Sequence, residues 1–195
     1  MKSLLLLALL AALPQPAQAQ HAGHASASPY AGQEMRDIKS LSADDIAELQ
    51  RGGGWGLAKA AELNGVPGPA HLLELKDEIG LDAGQVVAIQ TIFEKMRTDA
   101  AKEGERLIES ERAIERAFRD GTATQRSLRK MLEQAERSRA RLRYIHLATH
   151  LRTPPLLTRA QLDRYAELRG YARDPCANVP AGHNADMWRR HNACK

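Results

Sequence analysis

Aromatic side chains and cysteines are scarce in this sequence. Phe, Trp and Tyr make up only 4% of its 195 residues, and Cys176 and Cys194 are its two cysteines. Few aromatics among 43% apolar residues, together with 27% charged residues, disfavour a β-sandwich and favour long helices. The length leaves room for one domain plus tails. The sequence therefore predicts an all-α protein.

Motifs that carry catalysis or nucleotide binding are also missing. The sequence has no Gly-x-Ser-x-Gly elbow, no His-Glu-x-x-His zinc motif and no Cys-x-x-Cys pair. The glycines at 52–54 lack the Lys and the Ser or Thr of a phosphate-binding loop. We therefore expect a protein that is not an enzyme and that requires no cofactor.

A long apolar run occurs only at the N-terminus. Residues 4–13 follow a basic start and precede Ala17-Gln18-Ala19, which has the small-x-small pattern of a cleavage site. The alternative is an uncleaved membrane anchor, but a run of about ten residues is too short to span a bilayer. Residues 1–19 are therefore predicted to be a secretory signal peptide, and we expect no stable membrane insertion.

Export constrains the partners and the cysteines. An oxidising compartment favours a disulfide between Cys176 and Cys194 in the tail, residues 173–195. The alternative, a metal site that uses His191 and Cys194, requires a reduced thiol. The formal charge of +4 is not expected to serve nucleic acid, which is absent outside the cytoplasm. Acidic clients or membrane surfaces suit that charge better.

Residues 81–172 are predicted to form a long helical hairpin. Gly121 is placed to end the first helix in a left-handed conformation, and Thr122 with Gln125 is expected to cap the second. A lone hairpin buries too little, so flanking helices or a partner must cover it. Apolar or small residues recur at steps of three and four at Val86, Ile89, Phe93, Met96, Ala100, Gly104, Leu107, Ile114 and Phe118, and then at Leu128, Met131, Ala135, Ser138, Leu142, Ile145 and Thr149.

The segments before the hairpin have their own patterns. Residues 20–40 are predicted to be a flexible mature N-terminus, and residues 41–80 to form short helices. Ser42 is the predicted cap of the first, the second spans residues 55–63, and the third spans residues 71–79 with Pro69 in its first turn. The glycines near Trp55 are expected to allow a close approach between helices.

Two similar capping boxes lie at the two ends of the predicted hairpin. Leu81-Asp82-x-x-Gln85 precedes the first long helix, and Leu157-Thr158-x-x-Gln161 precedes the last short helix. In each, the Asp or Thr caps the helix and the Gln completes the box, while the Leu can pack on the first turn. Each is an ordinary helix start, and the informative feature is that they come as a pair.

This pair of motifs around a long hairpin, behind a signal peptide, resembles the Spy/CpxP family of periplasmic stress proteins, whose motif is Leu-Thr-x-x-Gln. The wider group includes ZraP- and CnrX-like metal-responsive proteins. The resemblance covers about residues 81 to 170, and Asp82 departs from the motif but caps as well as Thr. It implies a periplasmic, cradle-shaped antiparallel homodimer. It also implies either ATP-independent chaperoning of unfolded or stress-related polypeptides, with a sensor-kinase periplasmic domain as a further partner, or sensing linked to metals.

The second long helix is unusually basic. A surface that combines these charges with an apolar strip is the candidate client-binding site, because charge speeds encounter and apolar contacts retain the client. The alternative is a solvated face that pairs with acidic residues of the first helix. The residues assigned to client binding are Arg126, Arg129, Arg137, Arg139, Arg141 and Arg143.

His146 and His150 are the candidate metal ligands. Their i, i+4 spacing puts both imidazoles on one helix face. A third ligand would come from His71, Met96 or a second protomer, and this donor set favours copper or zinc. The alternative is that the histidines pack or hydrogen-bond near the end of the helix, where a positive imidazolium is also favourable.

The sequence thus supports two functions of different classes. The first is a periplasmic chaperone or stress adaptor, and the second is a periplasmic heavy-metal sensor or metal-sequestering protein. A scaffold with neither activity is a third interpretation.

Overall fold

A computed structural model describes residues 28–171, 179, 182, 184–191 and 194. All regular secondary structure in these residues is helical, which confirms the all-α prediction. The predicted signal peptide, residues 20–27 and Cys176 lie outside the described residues. The chain divides into two compact units, residues 1–34 and residues 35–195. In the first, Ala31 and Gln33 donate backbone hydrogen bonds to Ser28 and Tyr30 in a turn.

The second unit holds the helices. They are α1 (Ala43–Gln50), α2 (Lys59–Glu62), α3 (Pro69–Glu74), α4 (Lys76–Ile79), α5 (Ala83–Arg119), α6 (Gln125–His150), a short 3₁₀ helix (Pro154–Leu156), α7 (Arg159–Leu168) and α8 (Ala185–His191). The two long helices, α5 and α6, pack on each other, as the apolar periodicity predicts. None of the helices in the described part of the chain is both long enough and apolar enough to cross a membrane.

The connection between α5 and α6 differs from its prediction in one respect. Gly121 adopts the expected left-handed conformation, with φ of 65°. The cap of α6, however, is Thr124, whose side chain accepts from the Ser127 backbone, rather than Thr122 with Gln125. The backbone N–H groups of Thr122 and Ala123 both donate to Ala117 at the end of α5. These two residues therefore finish the first helix and cannot begin the second.

The short helices before α5 are more broken than predicted. Trp55 does not begin a helix, because its φ of 44° is left-handed and its indole N–H donates to Asp45 at 2.8 Å. The helical part of the predicted span 55–63 is therefore α2 alone. The predicted span 71–79 is divided at Leu75, and its first part begins with Pro69 at the first helical position.

Two glycines let the short elements approach α5 closely. A Cβ on Gly104 of α5 would lie 2.4 Å from the carbonyl oxygen of Leu49 in α1. A Cβ on Gly52 would lie 2.2 Å from the carbonyl oxygen of Arg97, and its φ of 71° also favours glycine. The close approach expected from the glycine-rich segment is therefore present, and it is made against α5.

The first core cluster joins α1 to the middle of α5 and α6. Ile38 is 1% exposed within this cluster, so the packed part of the chain begins before residue 41. Its buried members are Ile38, Leu41, Leu49, Ala100, Leu107, Ile108, Ala135 and Leu142.

The second core cluster packs against the leucines of the two predicted capping motifs. Asp82 with Gln85 caps α5 and Thr158 with Gln161 caps α7, and in each box both hydrogen bonds are present. The two boxes also meet, because the Gln85 and Gln161 side-chain amides exchange hydrogen bonds of 2.9 Å. The leucines of the motifs, Leu81 and Leu157, pack against Leu72, Ile79, Ile89 and Tyr165.

The predicted apolar seam is not buried along its whole length. Phe118, the last residue of the seam on α5, is 60% exposed. Ile114, Leu128 and Met131 are only partly buried. The short helices thus cover the seam at its middle and at the start of α5, but not beside the α5–α6 turn.

Little of the predicted tail, residues 173–195, is described. Asn184 caps α8 by accepting from the backbone N–H groups of Asp186 and Met187. Cys194 is disulfide-bonded, while Cys176, its predicted partner, lies outside the described residues.

Candidate binding sites: a histidine-lined cavity and a basic helix surface

A cavity of about 510 Å³ brings together the predicted metal ligands. His146 and His150 of α6, His71 of α3 and Met96 of α5 all line it, and Glu62 of α2 joins them. The glycine-rich segment 52–56 forms another part of its wall. Four helices distant in sequence therefore contribute side chains to one cavity of a size typical of small-ligand sites.

His146 is held as a neutral imidazole. It is 2% exposed, and burial lowers its pKa below 6.5, with the nearby His150 acting in the same direction and a hydrogen bond to the Gly53 backbone opposing them. Its Nε2 has no hydrogen-bond partner among the described residues. A buried polar nitrogen without a partner on a cavity wall marks a position where a ligand atom would be stabilised.

His150 is oriented by the backbone. Its Nδ1 lies 2.7 Å from the carbonyl oxygen of Val66, and because a carbonyl only accepts, Nδ1 carries the hydrogen. In the neutral ring Nε2 then carries the lone pair. Gly68 packs against this ring, since a Cβ there would lie 2.6 Å from Nε2. The position of the ring is therefore fixed from two sides.

A cluster of polar side chains around the buried carboxylate of Glu62 adjoins the two histidines. Glu62, 8% exposed, accepts a hydrogen bond from the Tyr165 hydroxyl and lies 3.1 Å from His71 Nδ1 and 3.5 Å from Arg169 Nε. Burial, and next the bond to Glu62, raise the pKa of Tyr165. The second oxygen, Oε2, makes no hydrogen bond to another described residue and lies 3.9 Å from His150 Nδ1.

Contacts within this cluster limit the availability of His71 as a metal ligand. Its Nδ1 contacts Glu62, and its Nε2 lies 3.4 Å from Arg169 Nη2, so both ring nitrogens already have neighbours. The sequence did not point to Glu62, Tyr165 or Arg169, because each lies in an ordinary polar helix pattern. Their common feature, a meeting of α2, α3 and α7, is visible only in the fold.

The metal prediction stays a prediction. Within the described ranges, no three His, Cys, Asp or Glu side chains are grouped so as to hold a metal ion. The fold does bring His146, His150 and Met96 to one cavity. Nε2 of His146 has no hydrogen-bond partner among the described residues, and Nε2 of His150 faces Gly68. These donors suit copper or zinc.

Five of the six arginines assigned to client binding are exposed. Arg126, Arg129, Arg137, Arg141 and Arg143 have exposed side chains on α6. Arg139 is different, because its guanidinium lies 3.3 Å from Glu111 of α5 and 4.9 Å above the Trp55 ring. Arg139 therefore joins α6 to α5 and to the glycine-rich segment, and its contacts are structural.

Two large apolar side chains lie among the exposed arginines. Tyr144 is 72% exposed and Leu132 is 47% exposed. We call the five exposed arginines together with Tyr144 and Leu132 the α6 outer surface. Neither Tyr144 nor Leu132 belongs to a motif that predicts a site. The available signal was that both fall outside the apolar register of α6.

A scan against protein-family models, a search of curated proteins and a search of solved structures each found no match to this chain.

Proposed function

We propose that this chain is a periplasmic stress protein of the Spy/CpxP type, which binds unfolded polypeptides without ATP through the α6 outer surface. The observation that carries the proposal is the exposure of five arginines around Tyr144 and Leu132 on one long helix. In the adaptor form of this function, the same surface contacts the periplasmic domain of a sensor kinase.

The physical argument combines charge with apolar area. Exposed guanidiniums raise the rate of encounter with acidic segments, and this effect weakens with added salt. The aromatic ring of Tyr144 then offers apolar area and one hydroxyl to a client held loosely. Loose binding suits a chaperone that has no ATP to drive release.

The contacts between the long helices support an antiparallel hairpin. Arg139 of α6 pairs with Glu111 of α5, while Gln85 near the start of α5 meets Gln161 and the Leu156 carbonyl beyond the end of α6. Residues nearer the start of α5 thus contact residues that lie later in the chain, as an antiparallel pair of helices requires. We propose that two such hairpins form the cradle-shaped homodimer.

The exposed Phe118 near the turn favours a second copy as the cover. Pairing with another protomer would remove its ring from water. Sedimentation of the mature protein should give a homodimer, and Phe118→Ser should shift it towards monomer. Val87→Ser, which alters an equally exposed residue of α5, is the control. A monomer in the unsubstituted protein would refute the homodimer.

Suppression of client aggregation tests the chaperone proposal. Mature protein at equimolar ratio should reduce light scattering from a chemically denatured client. The variant with Arg126→Gln, Arg137→Gln and Tyr144→Ser should lose most of this effect, because it removes two charges and the exposed ring. Unchanged scattering in the presence of the unsubstituted protein would refute the proposal.

The matched control removes the same chemistry elsewhere. Arg189→Gln, Arg190→Gln and Val87→Ser also delete two exposed guanidiniums and one exposed apolar side chain, on α8 and α5. This control should keep full suppression. Equal loss in both variants would mean that net charge, rather than the α6 outer surface, is responsible.

Metal sensing or sequestration is the second candidate function. It is favoured by the buried His146 and His150 lining one cavity with Met96, and by the Val66 carbonyl that fixes the His150 ring. Metal-binding histidines are commonly oriented in this way by their other ring nitrogen. His146, His150 and Met96 would hold copper or zinc, which would supply signal or storage rather than catalysis.

Calorimetric titration separates this candidate from the first. Copper and zinc should bind the mature protein, and His146→Ala with His150→Ala should abolish that binding. His191→Ala, which removes an exposed imidazole of α8, is the control. Binding that survives the double substitution would refute this site, and it would leave the chaperone proposal untouched.

A further inference from the structure

A second cleft lies between α5 and α6, apart from the histidine-lined cavity. It has a volume of about 380 Å³ and is lined by Glu103, Arg106, Gln134, Arg137, Ser138 and Arg141. The α6 residues lie at steps of three and four, so they share one face of that helix. Three guanidiniums from two helices therefore converge on one cleft.

The charges of the cleft do not cancel. Glu103 is 5% exposed and its carboxylate is held by Arg106 at 2.8 Å. Arg137 has only a distant acidic neighbour, Glu133 at 3.9 Å, and that residue lies outside the cleft. Arg141 makes no ion pair with any other described residue. One carboxylate against three guanidiniums leaves an excess of two positive charges.

A hydroxyl group is available at the same place. Ser138 lines the cleft, and its side chain makes no hydrogen bond within the described part of the chain. Its hydroxyl can therefore donate a hydrogen bond to a ligand in the cleft. The neighbouring Gln134 amide offers a further donor.

We propose that this cleft binds a phosphate-type oxyanion. Guanidiniums form paired, charge-assisted hydrogen bonds to phosphate oxygens, and a Ser hydroxyl and a Gln amide supply neutral donors for the remaining oxygens. The buried Glu103 is compatible with an anion because Arg106 neutralises it. The oxyanion comes either from a soluble phosphate compound or from the head group of an anionic phospholipid. The inference does not depend on client binding.

The test uses the mature protein with two probes. Calorimetry measures binding of inorganic phosphate, and flotation measures binding to vesicles of phosphatidylglycerol mixed with phosphatidylcholine, against vesicles of phosphatidylcholine alone. Arg141→Gln and Ser138→Ala alter the cleft, while Arg152→Gln removes an exposed guanidinium beyond α6. Circular dichroism checks that each variant keeps its helices.

Binding in this cleft should produce a specific pattern of affinities among the variants. At least one probe should bind, Arg141→Gln should weaken it at least about tenfold, Ser138→Ala should weaken it less, and Arg152→Gln should leave it unchanged. Phosphate binding alone identifies a soluble source, and binding to phosphatidylglycerol vesicles alone identifies a lipid head group. Failure of both probes, or equal weakening by Arg141→Gln and Arg152→Gln, would overturn the proposal.

Discussion

The two ends of the α5–α6 pair are covered to very different degrees. At the start of α5, the short helices and α7 bury Leu72, Ile89 and Tyr165 almost completely. Near the turn, from residue 114 to residue 132, Phe118 and Leu132 are exposed. The chain thus uses its own short helices to cover one end of the seam. No described element covers the other end of the seam or the basic α6 outer surface.

The largest difference between the regions should appear in core truncations. Leu107→Ala should lower the free energy of unfolding by about 3 kcal/mol, because Leu107 is fully buried between α5, α6 and α1. In the monomer, at protein concentrations too low for dimerisation, Phe118→Ala should lower it by less than about 1 kcal/mol, since the ring is then largely in water. Urea unfolding of both variants measures this. Similar losses would mean that the turn region is as well packed as the middle.

The histidine-lined cavity should make stability depend on pH. The folded protein holds His146 neutral, with its pKa lowered from 6.5, whereas the unfolded chain takes up a proton there near pH 6.5. The contribution of the neutral His146 to the free energy of unfolding is therefore complete above about pH 6.5. It falls as the pH drops further, by at most about 1.4 kcal/mol per pH unit.

His146→Gln isolates this effect. Urea unfolding at about pH 7.5 and about pH 5.5 should show a smaller loss on acidification in this variant than in the unsubstituted protein, because glutamine does not titrate. An identical loss in the two proteins would contradict the assignment of a neutral buried His146.

The capping boxes allow a finer comparison of the ends. Thr158→Ala should cost about 1 kcal/mol, because Thr158 caps α7 and its box partner Gln161 also bonds Gln85 and the Gly80 carbonyl. Thr124→Ala at the turn should cost about half as much, since its box contacts only Ser127. Thermal unfolding of the two variants measures the difference. A larger cost at Thr124 would show that the turn end is the better ordered one.

The sequence carried enough information to predict the long elements. Apolar periodicity, Gly121 and the boxes at Asp82 and Thr158 define α5, α6 and the start of α7 within a few residues, because these signals are local and mutually consistent. Pro69 likewise begins α3 as predicted.

Long-range contacts account for what the sequence did not reveal. Trp55 leaves the helical pattern because its indole bonds Asp45 and stacks beneath Arg139. Phe118 continues the apolar period, but none of the described elements buries it. The cavity was only partly foreseen. His146 and His150 stood out by spacing, whereas Glu62 meets Tyr165, 103 positions away, only after folding.

Site-specific photo-crosslinking tests the central claim most directly. Tyr144 and Tyr30 are 72% and 73% exposed, so each can be replaced by benzoylphenylalanine with similar access to a client. Irradiation with a chemically denatured client should give strong crosslinks from position 144 and few from position 30. Equal crosslinking from the two positions, or none from position 144, would contradict binding of unfolded polypeptides at the α6 outer surface.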